Sequence, residues 1–281
     1  MTEKTSNLVS ISWLNQHLHD PNIVLLDATM KKQANGEIIP IPAKKIIGAK
    51  AFNFDTEICD KTNSLPHMMP TVEQFQHAVR ELGINNHSKV IIYDAMGVFS
   101  SPRAWWMFKT MGFDQVFVLN GGLPKWINAG FQTSDKYSNP RPKGNFTASF
   151  KPSNIFNSQQ VLDVLDNRDF QILDARSHDR FVAKEAEPRK ELKGGHIPNS
   201  ICLPFTELLQ DGLFKEIKHL KAFFDSLVSK QTEQLIFSCG SGVTACILAL
   251  AADECGYDSY AVYDGSWSEW GAGDDFPIAL N

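Results

Sequence analysis

The sequence predicts an α/β protein made of two tandem domains, each a parallel sheet flanked by helices on both faces. Short continuous apolar stretches, typical of strands buried on both faces, alternate with helical stretches along the chain. The chain also repeats itself, which indicates duplicated domains. The related segments are 23–28 with 170–176, 89–94 with 234–239, and 118–126 with 262–270.

The repeat sets the domain boundaries. Asp27 corresponds to Asp174 and Trp126 to Trp270, at offsets of 147 and 144 residues. We expect a first domain over 8–134 and a second over 153–281. The segment 135–152 between them is polar and rich in proline and serine, which is typical of a linker.

Two stretches of the first domain show how its helices begin and end. Residues 72–82 are amphipathic and are followed by Gly83, a residue type that commonly ends helices. Residues 104–111 are also followed by a glycine, Gly112. Both stretches are therefore predicted as helices between the strands.

Composition excludes several classes of function. The chain has 281 residues, 43% hydrophobic residues and a net charge of −5, so it lacks the basic excess of a nucleic-acid-binding domain. No apolar run reaches membrane-spanning length, and no secretory signal is apparent. Five cysteines without a C-x-x-C pair argue against zinc and disulfides. We expect a cytoplasmic protein with no metal and no cofactor.

The most informative segment surrounds Cys239. An apolar strand-like stretch ends at this cysteine, a loop of small residues follows, and a helix begins at about Thr244. The positive end of a helix favours a thiolate, which is the nucleophilic form of cysteine. The alternative is an inert cysteine in a tight turn. The first repeat carries Asp94 at this position, so only the second domain can perform thiol chemistry, and the first is expected to shape a cleft.

Taken together, several motifs resemble the tandem-domain rhodanese superfamily over nearly the whole chain. They are the segments 64–70, 101–108, 195–198, 239–244 and 263–270. The resemblance implies an enzyme whose loop cysteine attacks a sulfur atom and becomes a persulfide. The outer sulfur then passes to a thiol acceptor such as thioredoxin, or to cyanide.

The loop also indicates the sulfur donor. Superfamily members that use thiosulfate carry arginine and lysine after the cysteine, whereas this chain has the uncharged Gly240 and Ser241. The resemblance therefore implies 3-mercaptopyruvate as donor and pyruvate as product. A thiosulfate enzyme and a persulfide-carrier module are the alternatives. A phosphatase of the same fold would need an arginine where Ala245 stands, to stabilise the charge of phosphate.

Three residues are candidates for catalysis, each with an alternative. Cys239 is the expected nucleophile. Ser241 would donate a hydrogen bond to the substrate or the cysteine, or would cap the following helix. By resemblance, His67 would cross the cleft as a proton-transfer group, or would be an ordinary loop histidine. Asp55 and Glu57 compete as its acidic partner.

A carboxylate substrate calls for arginine, whose guanidinium matches carboxylate geometry. Arg176 is the first choice because it follows a predicted strand end, where ligands bind parallel sheets, and because the superfamily places a substrate-binding arginine there. Its alternative role is a salt bridge with Asp174. Arg189 and Arg180 are further candidates, and Arg103 is an inter-domain contact or a ligand. The loop residues Gly240, Gly242, Val243 and Thr244 are expected to surround the substrate. His196, Trp105, Trp106, Trp267 and Trp270 are expected to be structural. Cys202, Cys246 and Cys255 are expected to be buried, and exposure with redox sensitivity is an alternative only for Cys59.

Overall fold

The computed structural model describes residues 6–139 and 142–280. The strands are β1 (Leu8–Val9), β2 (Ile23–Asp27), β3 (Lys45–Ile46), β4 (Lys50–Ala51), β5 (Lys89–Tyr93), β6 (Val116–Leu119), β7 (Thr133–Ser134), β8 (Ile155–Phe156), β9 (Phe170–Asp174), β10 (Ile201–Cys202), β11 (Leu209–Gln210), β12 (Leu213–Phe214), β13 (Gln234–Ser238) and β14 (Tyr260–Tyr263). The helices are α1 (Ile11–His17), α2 (Val72–Glu81), α3 (Ser101–Thr110), α4 (Gly122–Asn128), α5 (Ser158–Asp163), α6 (His178–Phe181), α7 (Ile217–Leu227), α8 (Ala245–Glu254) and α9 (Ser266–Trp270), with 3-10 turns at Pro152–Asn154 and Phe205–Leu208.

The two main sheets have the same strand order. The first is β1-β6-β5-β2-β4 and the second is β8-β14-β13-β9-β10, and all pairings within them are parallel. Strand β5 therefore corresponds to β13, and β2 corresponds to β9. The duplication and the fold class predicted from the sequence are confirmed.

Each sheet has helices on both faces, as strand β2 illustrates. Leu25 belongs to the same buried cluster as Leu14 of α1 and Trp126 of α4. Leu26, on the opposite face of the strand, belongs to the cluster of Phe75 in α2. Because both faces are covered, the strand carries no polar residue before Asp27.

The two domains share one hydrophobic core. Helices α3 and α8 pack against each other between the sheets. One continuous cluster includes Trp105 and Met107 of α3 together with Phe237 of β13 and Ile247 of α8. The cleft between the domains therefore has a floor of close-packed side chains, which transmit strain and resist deformation.

The ends of α2 and α3 follow local rules. Thr71 and Gln74 form a capping box at the start of α2, and Gly83 adopts a φ of +75° after its end. Helix α3 begins at Ser101, three residues before the predicted start at Ala104. Pro102 lies in its first turn, where a missing N–H costs nothing.

Part of the predicted linker packs against the first domain. The Phe146 ring is buried in the cluster of Phe75 and Phe108, and its carbonyl accepts a hydrogen bond from Arg80 Nε at 2.7 Å. The Gly144 N–H donates to the Arg80 carbonyl at 2.8 Å. Residues 140 and 141 of this segment, and residue 281, lie outside the described part of the chain. Among the described residues, no helix has the length and apolarity needed to cross a membrane.

Candidate active site

A cleft of about 540 Å³ lies between the domains, at the carboxyl ends of their strands. Its second-domain side includes Arg180, Arg189 and the loop residues 239–241 and 243–244, and its first-domain side includes Asp55, His67, Met96 and Phe99. Gly242, one of the residues expected to surround the substrate, does not line the cleft. Ligands of open parallel sheets bind at this end of the strands. The cleft therefore brings together most of the candidate residues found in the sequence.

The Cys239 loop is fixed by a serine that the sequence analysis did not single out. Cys239 follows β13 and is 2% exposed. The Ser266 Oγ accepts hydrogen bonds from the N–H groups of Cys239 and Gly242, both at 3.1 Å. The same hydroxyl donates to the Tyr263 carbonyl at 2.8 Å. Ser266 thus closes the loop, and its only sequence signal was membership of the repeated segment 263–270.

Other backbone groups of the loop stay available for an anion. Within residues 6–139 and 142–280, the N–H groups of Ser241, Val243 and Thr244 donate to no other group, and all three residues line the cleft. They precede α8, whose first turn adds positive potential. The Ser241 hydroxyl makes no hydrogen bond with described residues, so it does not cap the helix. Thr244 occupies the cap position without a side-chain bond.

The two loop glycines have different roles. Gly242 has a φ of +74°, and its carbonyl accepts from Arg103 Nη1 and Cys246 Sγ, both at 3.2 Å. A Cβ on Gly242 would lie 2.7 Å from the Asp264 carbonyl oxygen. A Cβ on Gly240 would instead lie 3.2 Å from Arg180 Nη2. Gly242 therefore fits the loop to its neighbours, whereas Gly240 leaves room for the Arg180 side chain.

Arg103 of the first domain links both sides of the cleft. Its Nη1 lies 2.6 Å from Asp264 Oδ1, and both side chains are buried. Its Nη2 donates to the His67 carbonyl, and its guanidinium stacks over Trp106 with 4.6 Å to the ring centroid. The inter-domain interpretation of Arg103 is the one that this geometry supports.

His67 pairs with Asp55. His67 Nδ1 lies 2.7 Å from Asp55 Oδ1, and this contact is the main cause that lowers the pKa of the Asp55 carboxyl. Glu57 instead accepts a hydrogen bond from Asn53 Nδ2 at 2.8 Å. His67 and Ser241 line the same cleft but form no hydrogen bond with each other in the part of the chain that is described. The Ser241–His67 hydrogen bond that a relay would need is therefore not formed among the described residues.

The structure contradicts the prediction that Arg176 binds the substrate. Its guanidinium has no exposed surface, and all three of its nitrogens donate to Asp174, Glu187 or the Gly195 carbonyl. It also stacks on Trp267, with 4.2 Å to the ring centroid. Arg176 does not line the cleft. The salt bridge with Asp174, the alternative in the sequence analysis, is what the structure contains.

Arg180 and Arg189 face the cleft instead. Arg180 Nε and Nη2 donate to the buried Glu187, which also accepts from the buried Arg176. Arg189 forms no ion pair or hydrogen bond with the described residues and is half-buried. Burial lowers the pKa of its guanidinium, and negative charge on Cys239 acts in the opposite direction. Arg189 is thus a partly dehydrated cation next to the cysteine.

Comparison with known protein families identifies the fold of both domains. The rhodanese-like domain model matches this chain twice, over residues 10–129 and 157–272. The chain belongs to the rhodanese family. Its second rhodanese domain carries Cys239, and its first carries Asp94 at the corresponding strand end.

Individual relatives match over nearly the full length. The chain is 39% identical to 3-mercaptopyruvate sulfurtransferase of Escherichia coli strain K12, over 98% of both chains. It is 36% identical to thiosulfate sulfurtransferase of Bos taurus, over 94% of this chain and 91% of the relative. The solved structure of SseA from Escherichia coli superposes with a TM-score of 0.81 at 36% identity, covering 94% of this chain and 100% of that one. The prediction that the chain is an enzyme of the sulfurtransferase class is confirmed.

Burial disfavours ionisation of the other four cysteines. Burial raises the pKa of the Cys202 thiol to about 12 and that of Cys255 to about 11, and it also raises the pKa values of Cys59 and Cys246. Cys246 is buried, as expected, but Cys202 and Cys255 are half-buried, which corrects the expectation that both are buried. Cys59 is also half-buried, so its exposed alternative does not hold. These thiols resist ionisation and are poor nucleophiles.

His196, the remaining side chain of the motif 195–198, packs in the protein interior. Its ring stacks on Phe181 with centroids 3.8 Å apart, and its Nδ1 lies 2.9 Å from the Phe181 carbonyl oxygen. Trp105, Trp106, Trp267 and Trp270 are all fully buried. The structural interpretation of these residues is confirmed.

Proposed function

We propose that this enzyme takes sulfur from 3-mercaptopyruvate, carries it as a persulfide on Cys239, and passes it to a thiol acceptor or to cyanide. The observation that carries the proposal is one cleft holding a cysteine, two guanidinium groups and an uncharged Gly240–Ser241 pair. A thioredoxin-like protein is the proposed thiol acceptor. A reducing compartment such as the cytoplasm is part of the proposal, because Cys239 must be in its reduced form before the first step.

Arg180 and Arg189 have different roles in binding the carboxylate of the keto acid. Glu187 already neutralises Arg180 and fixes its orientation, whereas Arg189 has no ion-pair partner among the described residues. A carboxylate that enters the cleft would supply the hydrogen-bond acceptors that water no longer provides to the half-buried Arg189. This anchors the donor on the second-domain side, where its sulfur can meet Cys239.

The proposed chemistry has two steps. The Cys239 thiolate attacks the donor sulfur, an S–S bond forms, and the C–S bond breaks. The electron pair of that bond goes to carbon, which takes up the proton of the donor thiol, so pyruvate and the Cys239 persulfide anion result. The acceptor then attacks the outer sulfur and regenerates the Cys239 thiolate. His67, held by Asp55, is the candidate to transfer the proton.

The direct test mixes the enzyme with 3-mercaptopyruvate and cyanide and measures both products. We expect thiocyanate and pyruvate in equal amounts, and a mass gain of one sulfur atom on Cys239 when cyanide is omitted. Sulfur uptake by Cys239 without turnover would indicate a persulfide carrier. Absence of both signals with Cys239 reduced would refute the proposal.

Replacing Arg189 tests the carboxylate anchor. We expect Arg189→Gln to raise KM for 3-mercaptopyruvate about 10- to 100-fold, because a hydrogen bond to a charged group contributes about 1.5–3 kcal/mol. Steady-state kinetics would measure this. The control is Arg168→Gln, an exposed arginine of the same domain outside the cleft, which should leave KM unchanged. Equal effects of the two variants would contradict the assignment.

Thiosulfate is the alternative donor, since the bovine relative bears that name and Lys32 adds a third cation to the cleft. Ser241→Arg tests this donor. Position 241 is chosen over position 240 because the Arg180 side chain already occupies the space beside Gly240. Added charge at position 241 should raise the ratio of kcat/KM for thiosulfate over 3-mercaptopyruvate about tenfold. Measuring both donors with the wild-type enzyme gives the baseline. An unchanged ratio would show that loop charge does not select the donor.

A further inference from the structure

The first domain contains a filled counterpart of the Cys239 loop. Asp94 directly follows β5, as Cys239 follows β13, and its side chain is fully buried. Its Oδ2 accepts from the N–H groups of Phe99, Ser100 and Ser101 at 2.9–3.1 Å and from the Ser101 hydroxyl at 2.6 Å. A carboxylate of the protein itself therefore lies where the second domain would hold an anionic sulfur.

The partners of Asp94 belong to a loop that reaches the active cleft. Its Oδ1 accepts from the Met96 N–H at 2.9 Å, and the Met96 and Phe99 side chains both line the cleft. The Phe99 ring makes an edge contact with Phe205 of the second domain, with centroids 5.8 Å apart. The same carboxylate thus fixes the backbone of both residues.

The Met96 and Phe99 side chains give this side of the cleft a different character from the arginine side. The second-domain side presents two guanidinium groups and the loop N–H groups. The first-domain side includes the polar residues Lys32, Asp55 and His67, and at Met96 and Phe99 it presents a thioether and a phenyl ring. A donor with its carboxylate at Arg189 and its sulfur at Cys239 would turn its apolar methylene group toward the first domain. Displacement of the 94–101 loop would widen the cleft at that point.

We propose that Asp94 is a positioning residue, a permanent internal anion that holds the 94–101 loop so that Met96 and Phe99 form the apolar wall of the substrate cleft. The claim about substrate rests on the proposed function, whereas the claim about the anion does not. The first domain then contributes to substrate binding through the 94–101 loop, which corresponds to the Cys239 loop but carries no cysteine.

The experiment removes the carboxylate and returns it as a free molecule. Asp94→Gly should raise KM for 3-mercaptopyruvate about tenfold while kcat changes less than threefold. Sodium acetate replaces the atoms that the substitution removes. At tens of millimolar, compared with equal sodium chloride, it should restore KM to within threefold of wild type and raise the Tm of the variant. In the wild-type enzyme, acetate can only compete with substrate, so its effect on KM has the opposite sign.

Two further variants make the result decisive. Asp94→Asn keeps the cradle occupied by a neutral side chain, so acetate should neither lower its KM nor raise its Tm. Met96→Ala, at a partly exposed position, should raise KM without rescue by acetate. If Asp94→Gly does not fold alone, refolding in acetate should recover more folded protein than refolding in chloride.

The possible failures can be told apart. No acetate effect on the Tm or refolding of Asp94→Gly would overturn the internal-anion proposal, whether or not the enzyme is active. Stabilisation by acetate with wild-type KM for Asp94→Gly and Met96→Ala would overturn the role in substrate binding. Absence of sulfur transfer by the wild-type enzyme would refute the proposed function alone.

Discussion

Cys239→Ser is expected to reduce sulfur transfer at least about a thousandfold while leaving the fold intact. A serine hydroxyl stays protonated at neutral pH and cannot form a persulfide, so both steps of the reaction are lost. The side chain is 2% exposed, and serine has nearly the same shape, so little packing changes. Thiocyanate formation and the free energy of unfolding would measure the two effects.

The matched control for Cys239→Ser is Cys255→Ser, a half-buried cysteine that follows α8. It should retain wild-type turnover. Sulfur transfer by Cys239→Ser at a rate near that of the control would exclude Cys239 as the sulfur carrier.

Arg103→Leu is expected to reduce the free energy of unfolding by about 3–5 kcal/mol, the cost of leaving one partner of a buried ion pair without the other. The variant would leave Asp264, which is 3% exposed, without its ion-pair partner. It would also remove the hydrogen bonds to the Gly242 and His67 carbonyls. Activity should fall as well, because those bonds fix both sides of the cleft. Denaturant unfolding would measure the loss.

A cation of the same helix provides the comparison for Arg103. Lys109 pairs with the exposed Asp114 at 3.0 Å, and an ion pair of this kind contributes about 1 kcal/mol or less. Lys109→Leu should therefore cost little stability. Equal losses for the two variants would show that the Arg103–Asp264 pair does not hold the domains together.

The fold and the position of Cys239 in the cleft could be predicted because their signals are local. An apolar strand such as β13 is buried on both faces wherever it occurs, and its sequence shows this directly. Cys239 is identified by the strand before it and the small residues after it. The repeat then assigns the same surroundings to Asp94.

The arginines could not be predicted because their roles depend on distant partners. Arg176 follows a strand end, as a ligand-binding residue would, but Asp174, Glu187 and the Gly195 carbonyl use all of its nitrogens. Nothing in the local pattern distinguishes it from Arg189, which has no such partners among the described residues. Burial and competition for hydrogen bonds decide between them.

Two other features of the site depend on backbone shape. His67 has a φ of +63°, a left-handed conformation, and this turn brings its ring to Asp55 and not to Glu57. Ser266, with a φ of +48°, reaches the N–H of Cys239 across 27 residues of sequence. Spacing alone does not reveal such contacts.

The shared packing of α3 against α8 also bears on how this molecule evolved. Once a duplicated copy contributes half of a common interior, losing its chemistry does not make it dispensable. Deleting it would expose part of α8, in which residues 245–253 are all buried, and would unfold or aggregate the domain that carries Cys239. Selection on folding alone is therefore enough to retain the silent copy, and it leaves that copy's cleft residues free to change with the substrate.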